Sequence, residues 1–187
     1  MIRAREAGDR RKPTSRRIDR NTCLMELANI ISDIGEELVA IDSSGVPFKH
    51  FKPGVGPYGE PQLVREIARR LDNRANYSRK IVTKRTPDLL IKGTWAIEFK
   101  IARPFGDNAR QAKNWSVNLL HPYLGNTSLI GDCLKLAQLN IEERKAVAVI
   151  GYEHSPPQIE LQPLIRSFEI LAKEIAGLKL GKRNSSY

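Results

Sequence analysis

Seven residues near the middle of the chain, Trp95-Ala96-Ile97-Glu98-Phe99-Lys100-Ile101, constrain the fold more than any other stretch. Side chains alternate faces along a β-strand. Trp95, Ile97, Phe99 and Ile101 therefore share one apolar face, and Ala96, Glu98, Lys100 and Ala102 share the other. The ordinary explanation for such a strand is an edge position with its salt-bridged face in water. The alternative is that the charged face is a site. Upstream, "TPDLLIKGT" supplies a second strand and a turn, and its register decides whether a further carboxylate joins the first. If Lys92-Gly93-Thr94 is the loop of a hairpin, Ile91 pairs with Trp95 and Asp88 lies opposite Glu98, on the charged face. If the loop is only Gly93-Thr94, Asp88 lies opposite Phe99 and projects into the apolar face. A one-residue slip thus buries a charge, so the hydrophobic pattern demands the longer loop.

Helical periodicity flanks this hairpin. From Thr22, the residues Leu24, Leu27, Ala28, Ile31 and Ile34 recur at threes and fours, predicting a helix that ends near Gly35. Residues 42–59, rich in Gly, Pro and Ser, read as an ordered loop. Glu60-Pro61 opens a helix that buries Leu63, Val64, Ile67, Ala68 and Leu71. Strands are expected over 79–84, 87–92 and 95–102. Asp107-Asn108 can cap a helix over 109–119, and Thr127 or Ser128 another that buries Leu129, Ile130, Cys133, Leu134 and Ala137. "KAVAVIGY", 145–152, reads as a buried strand. A last helix over 160–176 buries Leu161, Leu164, Ile165, Phe168, Leu171 and Ile175, ahead of a polar tail over 181–187. The expected organisation is an arm over 1–20, a helix and loop over 21–59, and an α/β domain over 60–180. Its mixed sheet of about four strands carries helices on both faces, and the crossover from 95–102 to 145–152 is expected to be parallel and right-handed.

Charge narrows the partner. Lys and Arg total 31 against 21 Asp and Glu, a net of +10, and half of the excess lies in residues 1–20. Basic chains gain affinity for polyanions by releasing counterions from phosphates. No apolar run approaches the ~20 residues that a membrane helix needs. Cys23 and Cys133 lack a CxxC partner, which argues against a disulfide framework or a cysteine zinc site and fits a reducing cytoplasm. His50, His121 and His154 are isolated in sequence and read as surface or turn residues.

Pro87-Asp88 followed by Glu98-Phe99-Lys100 on the next strand resembles the PD-(D/E)xK motif of the restriction-endonuclease-like nucleases. The expected order over 60–152 is similar to their α-β-β-β-α-β core, with 109–119 as an insertion. The resemblance implies a metal-dependent phosphodiesterase, a DNA endonuclease of restriction or repair type, with a Holliday-junction-resolvase-like enzyme or a non-catalytic nucleic-acid-binding protein as rivals. It implies Mg²⁺, with Mn²⁺ as a substitute, held by Asp88 and Glu98 with the Phe99 carbonyl as a third donor. Lys100 would orient the attacking water, stabilise charge or act as base, its pKa lowered by the nearby cation. Such nucleases add an acid from the preceding helix. At roughly 100° per residue, Glu60 falls within about 40° of the buried stripe and Glu66 points about 130° away, so Glu60 is the expected third acid; its simpler role is a favourable charge at a helix N-terminus. Lys84, Arg85, Arg103, Arg110 and Lys113 are candidates for holding phosphates. Gln111 and Trp115 resemble a Gln-x-x-x-Tyr element of some of these nucleases, with Trp in place of Tyr. Asp132 reads as a first-turn helix acid. DNA is the expected partner with RNA left open, and a homodimer would serve a duplex that has two strands to cut.

Overall fold

The computed structural model describes residues 25–106, 110–112, 115–123, 128–152, 156 and 158–186. In chain order they form α1 (Leu27–Asp42), α2 (Glu60–Asp72), β1 (Ile81–Thr83), β2 (Leu89–Ile91), β3 (Trp95–Ala102), α3 (Trp115–Leu120), α4 (Leu129–Gln138), β4 (Arg144–Gly151) and α5 (Leu161–Glu174). The basic arm over 1–20, Cys23, the Asp107-Asn108 cap, Lys113, Thr127 and His154 lie outside the described residues.

The alternating stretch builds β3, and it is an interior strand. The sheet order is β1-β2-β3-β4, with β1 and β2 antiparallel, β2 and β3 antiparallel, and β3 and β4 parallel. The hairpin takes the three-residue loop: Ile91 pairs with Trp95 and Leu89 with Ile97. Gly93 supplies the left-handed backbone the turn needs, at φ 72°. Thr94 closes the turn by donating from both N and Oγ1 to the Ile91 carbonyl.

Two cores follow from the two faces. Trp95, Ile97 and Phe99, with Leu89 and Ile91 beside them, pack under Ile30, Ile34 and Ile41 of α1 and the predicted stripe of α2. Each such side chain, fully buried, contributes about 1.5–3 kcal/mol. On the other face, Ala96 and Ala102 are small enough to let helices approach closely. There Leu119 of α3, Leu129, Ile130, Cys133 and Leu136 of α4, and Leu164, Phe168 and Ala172 of α5 close the second layer.

Four expectations are corrected. α1 runs through Gly35 to Asp42, because Glu37 and Ile41 continue the stripe of Ile30 and Ile34. Gly35 weakens the helix by about 1 kcal/mol against Ala, and its missing Cβ leaves room for Ser186 Oγ, 2.4 Å from where that atom would stand. The helix expected over 109–119 starts only at Trp115. Ahead of it Phe105 and Gln111 bridge, Gly106 N donates to Arg110 O at 2.8 Å, and Ala112 N donates to Pro104 O at 2.7 Å; backbone groups spent on this turn cannot open a helix. β4 is only half-buried along most of its length, because it forms a sheet edge. In α4 Ala137 is exposed and Leu136 points inward, and in α5 Ala172 takes the inner place while Leu161, Ile165 and Leu171 are half-buried and Ile175 is exposed.

Candidate active site

The site begins where β2 stops. Its pairing with β3 ends at Leu89 and Ile97, since Pro87 offers no N–H and Asp88 turns away from the ladder. Two carboxylates take over the exposed edge of β3. Asp88 Oδ2 accepts from Phe99 N at 2.9 Å, and Glu60 Oε2, from the first residue of α2, accepts from Ile101 N at 3.0 Å. The edge of one strand thereby fixes acids from two other elements.

The charged face of β3 is covered rather than solvated, so the salt-bridged edge strand is ruled out. Glu98 is 4% exposed and Asp132, in the first turn of α4, is 7% exposed. Asp88 stands beside Glu98 closely enough to oppose its ionisation. Burial first, then Asp88 and Asp132, push Glu98 up to about 8, against a smaller downward pull from Lys100.

Lys100 Nζ lies 3.1 Å from Glu60 Oε1 and 2.8 Å from Asp132 Oδ2, and donates to the Phe99 carbonyl at 3.3 Å. Burial alone would lower its pKa, but Glu60 and Asp132 outweigh burial and raise it. Glu60 is raised in spite of its ion pair, because burial exceeds the pull of Lys100. Asp132 Oδ1 also holds Lys135 Nζ at 2.9 Å.

Glu60 and Asp132 therefore flank one half-buried ammonium, with Glu98 and Asp88 at the same strand end and Lys135 at the rim. Among the described residues, no buried side-chain N or O lacks a hydrogen-bond partner. The excess is negative and the donors are oxygens, a set that suits a hard cation such as Mg²⁺. Asp88, Glu98 and the Phe99 carbonyl are the groups that fit one. Glu60 is turned to Lys100 and Ile101 instead, and among the described residues no three His, Cys, Asp or Glu side chains converge as a metal cage.

The remaining candidates are placed as follows. Glu66 is outside the site, with Arg69 at 2.6 Å and Arg70 at 2.8 Å on its carboxylate. Arg103 Nη1 donates to the carbonyls of Gly56 at 2.7 Å and Tyr58 at 2.9 Å. Lys84 and Arg85 are exposed in the segment that leads to Asp88, and Arg110 and Gln111 are exposed in the turn after β3. Trp115 opens α3. Asp132 is the residue that sequence reasoning passed over. Its signal was positional: it lies three residues after Leu129 and four before Leu136, on the inner face of its helix.

Two open hollows, about 320 Å³ against Arg65, Arg69, Asp72 and Thr83 and about 280 Å³ against Leu38 and Val55, involve none of the cluster residues. Asp88, ahead of β2, and Glu60, at the start of α2, are half-buried. No helix among the described residues is long and apolar enough to cross a membrane. No family model, curated protein or solved structure matches the chain.

Proposed function

We propose that this chain is a divalent-metal-dependent nuclease of the restriction-endonuclease-like kind, cutting DNA as an endonuclease. The observation that carries the reading is the gathering of Asp88, held by Phe99 N, with buried Glu98 and paired Lys100 at one end of β3. The order α2-β1-β2-β3-α3-α4-β4 supports it, being similar to that superfamily's core with α3 as an insertion.

In this reading Asp88 and Glu98, with the Phe99 carbonyl, hold Mg²⁺ or Mn²⁺. Such an ion supplies an activated water and neutralises charge at phosphate. The chain's own residues do the rest. Glu98 would have to give up its proton to serve as an oxygen donor beside Asp88. Glu60 and Asp132 hold the Lys100 side chain from two sides and keep it an ammonium. Lys100 then serves as a fixed positive charge beside the scissile phosphate, and as a hydrogen-bond donor that orients water, rather than as a base. Glu60 is a positioning acid for Lys100, and it becomes a metal ligand only if it leaves that pair. The net charge of +10 suits a DNA partner. A cytoplasmic setting and a homodimer that cuts both strands complete the proposal.

The test is a panel of supercoiled, linear, branched and single-stranded DNA incubated with Mg²⁺, Mn²⁺ or chelator. The reading requires metal-dependent cleavage of at least one substrate. Cleavage confined to branched DNA would move it to a junction-resolving enzyme, and binding with no cleavage under any condition would replace it with a non-catalytic nucleic-acid-binding protein.

A further inference from the structure

Residues 43–59, between α1 and α2, form neither helix nor strand, yet they are held at many points. Pro47 and Pro53 bridge, and Phe51 N donates to Phe48 O at 3.0 Å. The rings of Phe48 and Tyr58 stack at 4.0 Å. Val55 N donates to Asp42 Oδ1 at 3.0 Å, at the end of α1. Two further ties reach the sheet: Tyr152 Oη donates to Val55 O at 3.1 Å, and Arg103 Nη1 donates to Gly56 O and Tyr58 O. Arg103 follows Lys100 by three residues, and Tyr58 precedes Glu60 by two. The loop is therefore fastened to the same strand end and helix start that carry the acidic cluster.

What this frame presents is basic and aromatic. Between Asp42 and Glu60 there is no acid, while Lys49, His50 and Lys52 fall within four residues. All three are exposed. Lys49 is held in the left-handed region at φ 56°, a conformation that costs a non-glycine residue about 1–3 kcal/mol and persists only where its surroundings impose it. Its ammonium stands 5.3 Å from the centre of the Phe48 ring. The His50 and Phe51 rings meet at 4.2 Å. Lys52 has no ion-pair partner among the described residues. A loop that served only to connect two helices would need neither this bracing nor this unneutralised charge.

We propose that residues 47–58 are a prebuilt arm that grips the sugar–phosphate backbone of a nucleic acid beside the acidic cluster. Lys49 and Lys52 contact phosphates, the His50–Phe51 pair offers a stacking surface, and Arg103 is the brace that sets the arm against β3. The arm also resolves an electrostatic difficulty: a cluster rich in carboxylates repels a polyanion, and cations on a loop tied to the same strand end offset that repulsion. The proposal rests on the nuclease reading for its choice of polymer.

The test uses the full chain and a fluorescently labelled DNA duplex in chelator, with affinity measured across a range of salt. Lys49→Ala/Lys52→Ala should lower affinity at least tenfold at low salt and reduce the slope of log affinity against log salt by about 2, at ~0.9 per lost phosphate contact. Lys49→Arg/Lys52→Arg should restore both. Lys173→Ala/Lys179→Ala removes the same charge from α5 and the segment after it, and should change the slope by well under half as much. Equal slopes for the two alanine pairs would overturn the arm, as would unchanged affinity in the first pair. The two readings fail separately. Loss of slope in a protein that cuts no DNA leaves the arm standing without the nuclease, and metal-dependent cleavage with an unchanged slope leaves the nuclease standing without the arm.

Discussion

Glu98 is the residue at which burial and chemistry oppose each other most directly. Its carboxyl is pushed up to about 8 from an ordinary 4.5, first by burial and then by Asp88 and Asp132. Ionisation is thus harder folded than unfolded. Whatever stability the neutral acid contributes is fully present below pH 4.5 and is lost as pH rises through about 8. In chelator, Glu98→Gln should therefore raise the melting temperature relative to wild type at pH 8.5 and change it little at pH 4.5, as read by thermal melts. A difference of the same size at both pH values would contradict this. Asp132 acts one step further out, holding Lys100 at 2.8 Å. Asp132→Asn should reduce the cleavage rate at saturating DNA by about tenfold or more, since it loosens a charge-stabilising group, and Asp132→Glu should recover part of the loss. At this scale Asp88, Glu98, Lys100 and Glu60 were legible from strand alternation and helical angle. Asp132 was not, because a first-turn acid has an adequate explanation of its own, and only the packing of α4 onto β3 turns it inward.

At the scale of elements, β3 organises the molecule by keeping its two faces chemically separate. Phe99 is fully buried on the apolar side and Lys100 emerges on the other. Phe99→Ala should destabilise the fold by about 3–5 kcal/mol, measured by denaturant unfolding, while Lys100→Met should cost less, because Asp132 keeps its pairing with Lys135. Comparable losses from both would mean that the charged face is as structural as the core. The hairpin register and the stripe of α2 could be read from sequence because period and turn chemistry agree. Elsewhere local signals were overridden. Gly35 reads as a helix stop, but apolar residues beyond it hold α1 together as far as Asp42. The segment after β3 has a good cap and helical spacing, yet its backbone pairs with residues 104–106 instead. β4 has the composition of a central strand and lies at an edge, a fact of sheet order that no local pattern encodes.

For the whole molecule the question is how an acidic centre receives a polyanion. Half of the net charge lies in residues 1–20. Their deletion should weaken DNA binding and flatten its salt dependence, while the cleavage rate at saturating DNA largely survives; unchanged affinity at both low and high salt would assign the arm to another task. The central claim is that Asp88, Glu98 and Lys100 act as one metal-dependent phosphodiesterase centre. It is tested most directly by the cleavage rate of a single DNA substrate in Mg²⁺, comparing wild type with Asp88→Asn, Glu98→Gln and Lys100→Met, side chains of similar size chosen because the cluster is packed under α4. Each variant should remain folded by circular dichroism and lose at least ~100-fold in rate, the scale of losing a metal ligand or a charge-stabilising group. Full metal-dependent activity in any two of the three would contradict the claim.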